Sequence, residues 1–464
     1  MFKSVHEASE RWITEGKAYK NKLNDWLDII YIDKKQPETE CPEETRKDMG
    51  GYVMEQIVAH NQQGDYSTLR QLFPPDNDPM NWEGVTECVR QVAMLPDNRL
   101  VVTVGDWQIR RVYVIHNNDI TLLEELYMFG RSADKKYFAK VFNDKITISE
   151  GWDGPVVKEI YAPKDYGAAF KEKHPEIKDG LGKLSLPELG IEQIVVFPSG
   201  DKIAMASTKG IFIIDEKGAQ FIQTENDDKI DEEDNFTFKY HYPHIDVSPD
   251  EKYIITGTQS SPHLLLEEIN GVWTTVATVE PRSSYPNLAA FNYKIKDNGE
   301  ENEGPQVLLC SCHFAGSASL SLPIKNVTPG FFASGYYADD TLNYADTKRW
   351  VFSAGNYSWG YALGCNDGYI WFKEYRGWQY GYLHVGGTVM DIDYSNDRKK
   401  LIVASYSGQV IIYNCSTTLF GGTTLFRVNE TRQEKRPDDM AITNTCYVDI
   451  KRYLFLKGQE PMIW

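Results

Sequence analysis

Apolar and polar positions alternate most regularly in residues 386–414, where three strand-like runs are separated by two turn sequences. Val389, Ile392 and Tyr394 form the apolar side of the first run, which ends in the polar turn 395–398. Ser, Asn and Asp favour such turns because their side chains bond to nearby backbone groups. The apolar run 401–404 is typical of a strand buried on both faces, and residues 409–413 are β-branched or aromatic. The pattern predicts a three-stranded meander, which is too small to be stable alone.

Weaker copies of this pattern recur along the chain, at residues 92–102, 195–207 and 246–257. The turn prolines Pro198 and Pro249 are 51 residues apart, and Asn396 follows Pro249 by about three times 49 residues. A period of roughly 40–50 residues with several strands per repeat is typical of propeller blades. We therefore predict an all-β fold, a β-propeller spanning residues 85–464, with seven blades and eight as the alternative.

Two of the turns carry a family resemblance. Ser248-Pro249-Asp250 and Ser395-Asn396-Asp397 each join two strands, and residues 410–414 (VIIYN) close a repeat. In this rhythm the chain resembles the WD-repeat β-propellers. It departs from them at Tyr413-Asn414, which replaces Trp-Asp, and at residues 384–387, where His precedes Gly. The resemblance therefore implies the propeller fold but not the family's buried polar network.

Residues 1–84 are predicted to form a helical N-terminal extension. Ser4 and Glu7 fit a capping box, and a second helix is expected over 42–60 with an interruption at 50–51. Large apolar residues recur at helical spacing through residues 4–31. This stripe either binds a partner protein or packs against the chain's own propeller; its candidate contact residues are Trp12, Tyr19, Leu23 and Trp26.

The fifth blade is expected at residues 285–324, the sixth at 331–382 and the seventh at 386–418. The tail 445–464 reads as a further strand pattern. Because a propeller must close its ring or leave an open edge, we expect the tail to pair with the chain just after Gly84.

Aromatic residues are densest in residues 331–382. They either fill the space between blades or form an exposed contact surface, since Trp and Tyr dominate interface hot spots and also stack on sugars. The candidate binding residues are Tyr336, Tyr337, Trp350, Trp359, Trp371, Arg376 and Trp378.

Residues with catalytic or metal-binding chemistry are few. Asp391 and Asp393 lie on one strand face, but a carboxylate pair without a His or a third acid is a weak signal for catalysis. Cys310-Ser311-Cys312-His313 lacks zinc-site spacing and a second ligand pair. No phosphate-binding loop, dinucleotide fingerprint or His-Glu-x-x-His motif is present. The sequence predicts no catalytic residue, no metal and no cofactor.

Charge and cysteine content narrow the choice of partners. The 464-residue chain has a formal net charge of −18, which argues against binding nucleic-acid phosphates or anionic membranes. The seven cysteines are scattered, no apolar run is long enough to span a membrane, and the chain shows no signal-peptide pattern. These features predict a cytoplasmic protein.

We expect a non-catalytic, protein-binding scaffold in a multi-protein complex. The alternative is a glycan-binding or glycan-cleaving propeller that uses the aromatic residues of 331–382, with Asp391 or Asp393 as acids.

Overall fold

The structure is a computed structural model of the chain. It describes residues 2–31, 35–75, 84–106, 109–161, 185–222, 224, 240–281, 285–292, 306–312, 317–335, 340–346, 349–357, 360–374, 379–397, 399–415 and 447–464. Among these residues, no helix is long and apolar enough to cross a membrane.

Three helices precede the first strand. They are α1 (Val5–Tyr31), α2 (Gly50–Gln63) and α3 (Tyr66–Leu72). The helix predicted over 42–60 instead begins at Gly50, after a short 3₁₀ turn at Lys47–Met49. Gly50 and Gly51 are the first two residues of α2. Glycine is unfavourable in the interior of a helix, so at this position it does not interrupt the helix. Ser4 accepts a hydrogen bond from the Glu7 N–H at 3.2 Å, as the capping pattern predicts.

The described strands form seven four-stranded antiparallel units. Their bounds are, for blade 1, β1 (Val89–Met94), β2 (Leu100–Gly105), β3 (Arg110–His116) and β4 (Asp119–Leu123); for blade 2, β5 (Met128–Arg131), β6 (Tyr137–Val141), β7 (Ile146–Glu150) and β8 (Val156–Ile160); for blade 3, β9 (Ile191–Val196), β10 (Ile203–Ser207), β11 (Gly210–Asp215) and β12 (Gly218–Phe221); and for blade 4, β13 (His244–Val247), β14 (Tyr253–Gly257), β15 (His263–Ile269) and β16 (Val272–Glu280).

The remaining three units follow the same order from the innermost to the outermost strand. Blade 5 contains β17 (Tyr285–Phe291), β18 (Gln306–Cys312), β19 (Ala318–Pro323) and, after the intervening β20 (Phe331–Ser334), β21 (Asn343–Asp346); blade 6 contains β22 (Val351–Tyr357), β23 (Gly360–Cys365), β24 (Tyr369–Glu374) and β25 (Gln379–His384); blade 7 contains β26 (Val389–Tyr394), β27 (Lys400–Ser405), β28 (Gln409–Cys415) and β29 (Tyr447–Leu454), with the short β30 (Met462–Ile463) at its edge.

The architecture is a β-propeller with a helical N-terminal extension, as predicted. The innermost strands pack side by side from β5 through β9, β13, β17, β22 and β26 to β1, and blade 1 contacts blade 2 through β3 and β5. The second strand of each blade is almost entirely buried; in β10, for example, all five residues are buried. The continuous apolar runs of the sequence are therefore strands covered on both faces by neighbouring blades.

The turn between the first two strands is built in the same way in several blades. Ser248 and Ser395 each donate from Oγ to the carboxylate two residues later, Asp250 at 2.7 Å and Asp397 at 2.6 Å. Each Ser Oγ also accepts the backbone N–H five residues on, at 2.9 Å. This local bonding explains the recurrence of Ser-x-Asp, because it satisfies the turn's backbone groups with side chains. Blade 2 repeats the arrangement at residues 132–137.

The prediction for blades 5 and 6 was wrong in one respect. Phe331–Ser334, expected in the sixth blade, forms β20, which pairs in parallel with β16 at the outer edge of blade 4. The fourth strand of blade 5 is β21, which pairs with β19. β20 covers an edge that would otherwise present unpaired backbone groups.

The ring closes where the tail meets the chain after Gly84. β29 pairs with β28 and so supplies the outermost strand of blade 7, which residues 386–418 alone do not complete. Beyond it, the Glu87 N–H donates to Phe455 O and the Lys457 N–H to Val85 O, each at 3.0 Å. The tail and the chain just after Gly84 are therefore hydrogen-bonded to each other, as predicted for the closure of the ring.

The helical extension packs on this same tail. Trp12, Phe73 and Trp464 are fully buried together, with the Trp12 and Trp464 rings 6.0 Å apart. The Trp12 indole N–H donates to Pro74 O at 2.9 Å, and the Arg46 guanidinium lies 4.5 Å from the Trp12 ring. The predicted domain boundary at residue 84 lies between α3 and β1.

Candidate functional site

A channel with a volume of about 1240 Å³ runs along the ring axis and is lined by the innermost strands of all seven blades. This volume exceeds the roughly 300–1,000 Å³ of typical small-molecule pockets. In each blade the innermost strand comes first in the chain, and the second strand runs antiparallel to it. The end of the second strand therefore lies beside the start of the innermost strand. One rim, here called the channel mouth, is therefore formed by those strand starts and by the turns after the second strands.

Several innermost strands carry a β-bulge near the channel mouth. The pairing register with the second strand shifts at five positions, each a channel-lining residue: Arg90 in blade 1, Glu192 in blade 3, Asn287 in blade 5, Phe352 in blade 6 and Met390 in blade 7. A bulge adds an unpaired residue and redirects its side chain, and bulges are frequent near functional sites. The five residues thus form a ring of redirected side chains.

Polar side chains on the innermost strands bond across the seams between blades. Asp391 accepts the Val92 N–H at 2.9 Å and Asp393 accepts the Met94 N–H at 2.7 Å, both from blade 7 to blade 1. Equivalent bonds cross four further seams: Gln193 accepts from Ile245 at 3.1 Å, Asp246 accepts from Phe291 at 2.7 Å, Asn287 donates to Val351 O at 2.6 Å and Ser353 donates to Val389 O at 3.0 Å. These side chains join the innermost strands of neighbouring blades, whereas blades 2 and 3 are joined by a parallel backbone bridge between Arg131 and Val195.

The closing seam also contains a buried charge cluster. Asp393 lies 2.7 Å from Lys135 Nζ and 3.1 Å from Arg131, both in blade 2. The Lys135 ammonium also donates to Met94 O at 3.3 Å and to Tyr394 O, so that it joins blades 2, 1 and 7. Burial by itself would raise the pKa of Asp393, but the two cations and the hydrogen bonds outweigh it and hold that pKa below its ordinary value. Burial raises the pKa of Asp391 to about 6.

The channel wall has a charged side and an uncharged side. On the side of blades 1 and 3, Glu192 lies 3.0 Å from Arg90 and 3.3 Å from Arg110. On the side of blades 4–6, the described lining residues include no Lys or Arg and one carboxylate, Asp246, whose oxygens bond to backbone N–H groups. The two sides therefore favour different ligand chemistry.

Aromatic rings line the channel mouth on the side of blades 4–7. Lining rings belong to Tyr242, Tyr285, Trp350, Phe352 and Tyr406. The rings of Trp350 and Phe352 stack with centroids 5.0 Å apart. Tyr242 and Tyr406 are exposed, at 44 % and 62 % of their surface. Such rings offer a large, rigid contact area to a ligand.

A buried pair of histidines, His244 and His263, supports the part of the channel mouth that contains Tyr242. His244 Nδ1 lies 3.0 Å from Tyr242 O, and His244 Nε2 lies 3.1 Å from His263 Nδ1. A carbonyl only accepts, so Nδ1 of His244 carries the proton, and His263 Nδ1 must then donate to His244 Nε2. Burial lowers the pKa of His244 to about 4 and that of His263 well below its ordinary value. Tyr242 has a left-handed φ of 49°, which bulky residues rarely adopt.

Of the binding residues predicted from sequence, the structure places Trp350 at the channel mouth. Trp371 is fully buried inside the propeller, with the Arg349 guanidinium 3.6 Å from its ring. The other five lie outside the described residues: Tyr336, Tyr337, Trp359, Arg376 and Trp378.

The predicted helix contacts divide along α1. Trp12 and Leu23 are buried, whereas Tyr19 and Trp26 are half-buried. The Trp26 indole N–H donates to Thr39 O at 2.9 Å.

Sequence reasoning missed most of the channel mouth. Arg90, Asn287, Tyr242 and Tyr406 come from blades distant in sequence, and no motif links them. A usable signal was present in one of them: Asn287 is a polar residue inside an otherwise apolar strand pattern. The histidine pair was also missed, since residues 244 and 263 meet only through strand pairing.

Among the described residues, no three His, Cys, Asp or Glu side chains are grouped so as to hold a metal ion.

Comparison with known proteins gives fold-level likenesses. No family model matches the sequence, and no curated protein matches it. Among solved structures, the β-propeller domain of Myceliophteria thermophila Cps50 (Swd1) aligns with a TM-score of 0.44 and 10 % identity, over 71 % of this chain and 97 % of that one. KlHsv2 with its loop 6CD replaced by a Gly-Ser linker aligns with a TM-score of 0.42 and 7 % identity, over 71 % and 94 %. The propeller fold is shown by the strand order itself.

Proposed function

We propose that this protein is a non-catalytic scaffold that binds a partner protein at the channel mouth, as part of a multi-protein complex. The observation that carries the proposal is the row of partly exposed aromatic side chains along one side of a wide channel. Tyr and Trp are enriched at interface hot spots because they bury much area at little entropic cost. Tyr406, 62 % exposed on a short turn, is the most accessible of these rings.

The engagement of the channel carboxylates supports a non-catalytic role. Both oxygens of Asp391 accept backbone N–H groups, from Val92 and Ile392. Asp393 is held by Lys135, Arg131 and the Met94 N–H. A general acid or base needs a side chain that can reach substrate and exchange a proton with it. These two side chains are committed to joining blades.

The aromatic channel mouth also favours a second candidate function, the binding of a glycan. Tyr and Trp rings stack on sugars as well as on protein side chains. The engaged carboxylates favour glycan binding over cleavage. A glycan that raises the melting temperature of the protein, and fails to do so after Tyr406→Ser, supports this candidate.

The proposal includes a cytoplasmic location and a protein partner in preference to nucleic acid or membrane. The net charge of −18 supports the choice of partner class. Thiols such as Cys41 and Cys88, which form no disulfide, support a reducing compartment. The half-buried Tyr19 and Trp26 of α1 remain a second proposed contact.

The test is a matched pair of variants. The partner is first isolated from cells that naturally contain the protein and is then purified. Its affinity is measured calorimetrically for the wild type, for Tyr406→Ser and for Tyr161→Ser. Tyr161 is 59 % exposed but does not line the channel. We expect Tyr406→Ser to weaken binding by about 2 kcal/mol, as for a hot-spot residue, and Tyr161→Ser to leave it unchanged. Equal affinities of all three proteins contradict the proposal.

A further inference from the structure

The Arg90 side chain is a partly exposed cation at the channel mouth with an unused hydrogen-bond donor. Arg90 is the bulged residue of blade 1, between Val89 and Gln91, and it lines the channel. Its Nε donates to Gly105 O at 3.1 Å and its Nη1 to Glu192 at 3.0 Å. Among the described residues Nη2 has no acceptor, and it is accessible to solvent on a side chain that is 23 % exposed. The channel mouth therefore presents a fixed guanidinium with one open nitrogen.

The charges next to Arg90 leave this part of the channel wall with one cation in excess. Glu192 Oε2 lies 3.0 Å from the Arg90 guanidinium and 3.3 Å from that of Arg110. The Arg110 side chain is only 1 % exposed, so solvent screens its charge little. Asp106, a further carboxylate near Arg110, is exposed, accepts the Ile109 N–H and does not line the channel. One carboxylate thus serves two guanidinium groups on the wall.

The other charge cluster of the channel has no such excess. There, the cations Arg131 and Lys135 lie beside the carboxylates of Asp391 and Asp393, so the two signs balance. An added anion would find no surplus charge at that cluster. A carboxylate fits the group at the channel mouth instead, because it accepts N–H bonds and pairs closely with a guanidinium.

We propose that the charged side of the channel mouth binds an acidic side chain of the partner protein, an aspartate or a glutamate, through Arg90. The carboxylate accepts a hydrogen bond from Arg90 Nη2, and the group on the wall then holds two guanidinium groups and two carboxylates. This inference rests on the proposed function and deepens it by naming the chemistry of one contact with the partner.

The guanidinium is ordered before any ligand binds. Its bonds to Gly105 O and Glu192 hold two of its three nitrogens, so binding a carboxylate at the third costs Arg90 little further conformational entropy. The bulge places Arg90 outside the regular pairing of β1 with β2, in which Val89 pairs with Val104 and Gln91 with Thr103. The same irregularity that brings Arg90 into the channel thus leaves its outer nitrogen open.

The direct test uses three blocked amino acids as probes, the N-acetyl N′-methylamides of glutamate, glutamine and lysine. They share one backbone and differ in the charge of the side chain. The intact protein is titrated with each, and the ¹H–¹⁵N signal of Arg90 Nε, assigned by its absence in Arg90→Lys, is followed. We expect the glutamate probe to shift this signal and to bind about three- to tenfold more tightly than the glutamine probe, the effect of one charged hydrogen bond at a partly exposed site. Equal affinities overturn the proposal. Tighter binding of the lysine probe also overturns it, since Glu192 would then be the binding group.

Variants of two arginines then connect the site to the partner. The affinity of the purified partner is measured for the wild type, for Arg90→Gln and for Arg99→Gln. Arg99 is a matched control, because its side chain is 25 % exposed, pairs with carboxylates and does not line the channel. We expect Arg90→Gln to weaken partner binding about three- to tenfold and Arg99→Gln to leave it unchanged. Equal affinities of the two variants contradict the role of Arg90.

Two combined outcomes separate this inference from its alternatives. If the glutamate probe binds as expected but Arg90→Gln leaves the affinity for the partner unchanged, the ligand is a small free carboxylate and the inferred contact is wrong. The proposed function is tested independently: if Tyr406→Ser weakens partner binding while the glutamate and glutamine probes bind equally, the scaffold function stands and only this inference falls.

Discussion

Asp393 is a channel carboxylate that joins three blades. It meets Lys135, Arg131 and the Met94 N–H at the seam where the last blade joins the first. The sequence places Asp391 and Asp393 on one strand face, which suggested acid–base chemistry. Their partners near residues 92–94 and 131–135 are about 260–300 positions away in the chain. No local pattern could have identified these contacts.

Replacing Asp393 with Asn should destabilise the whole ring. The side chains of Asp393 and Lys135 are only 4 % and 9 % exposed, so the variant leaves a buried ammonium without its counter-charge. We expect the free energy of unfolding to fall by about 3–5 kcal/mol in urea denaturation. Asp250→Asn is the control, since Asp250 lies in a surface turn of blade 4 with a side chain 42 % exposed. A similar small loss for both variants would refute a structural role for the cluster.

The buried histidine pair predicts a specific pH dependence of stability. The pKa of His244 is about 4 in the folded protein, against an ordinary value of 6.5, so the unfolded state binds the proton more readily. The stabilising contribution is present above pH 6.5 and is lost as the pH falls toward 4. For this residue the loss between pH 7 and pH 4 is about 3 kcal/mol.

Comparison with His244→Asn isolates this contribution from other titrating groups, including Asp391 and His384. Asn can still donate to Tyr242 O, so the channel mouth keeps its anchor. We expect the drop in unfolding free energy between pH 7 and pH 4 to be about 3 kcal/mol smaller in the variant. His116→Asn, at an exposed position, is the control. Parallel curves for the wild type and His244→Asn would show that the pair does not titrate in this way.

At the level of secondary structure, period-two alternation and apolar runs were sufficient to locate most strands. They could not distinguish the blade to which a strand belongs. Phe331–Ser334 has a good strand sequence, yet it pairs with β16 rather than within its own blade. Bulges were equally invisible, because one extra residue changes the backbone pairing without changing the composition. The candidate site depends on five such bulges, so it could not be read from the sequence.

The helical extension gives a test at this scale. α1 buries Trp12 completely between Phe73 and Trp464, while the adjacent Ile13 is 43 % exposed. Trp12→Ala should lower the free energy of unfolding by about 3–5 kcal/mol, because it leaves a large cavity where the extension meets the tail. Ile13→Ala should cost less than about 1 kcal/mol. Urea unfolding of the two variants is the measurement, and comparable losses would mean that the extension does not dock as described.

At the scale of the whole molecule, the blades are stable only together. Each contributes a sheet whose faces are apolar, and the seams add side-chain bonds at the channel wall. The tail completes blade 7 and also covers the helical extension, so ring closure and the docking of α1 depend on the same residues. The ring in turn fixes the aromatic residues of the channel mouth, which come from four different blades and the connections that lead into them.

The channel mouth as the partner-binding surface is tested most directly by hydrogen–deuterium exchange of the intact protein with and without its purified partner. We expect protection on binding in the segments around residues 240–243, 285–288, 350–352, 388–390 and 406–408, which meet only in the folded ring. Exchange in the outermost strands should remain unchanged. Protection confined to α1 or to the outermost strands, with the channel mouth exchanging as in the free protein, would contradict the account.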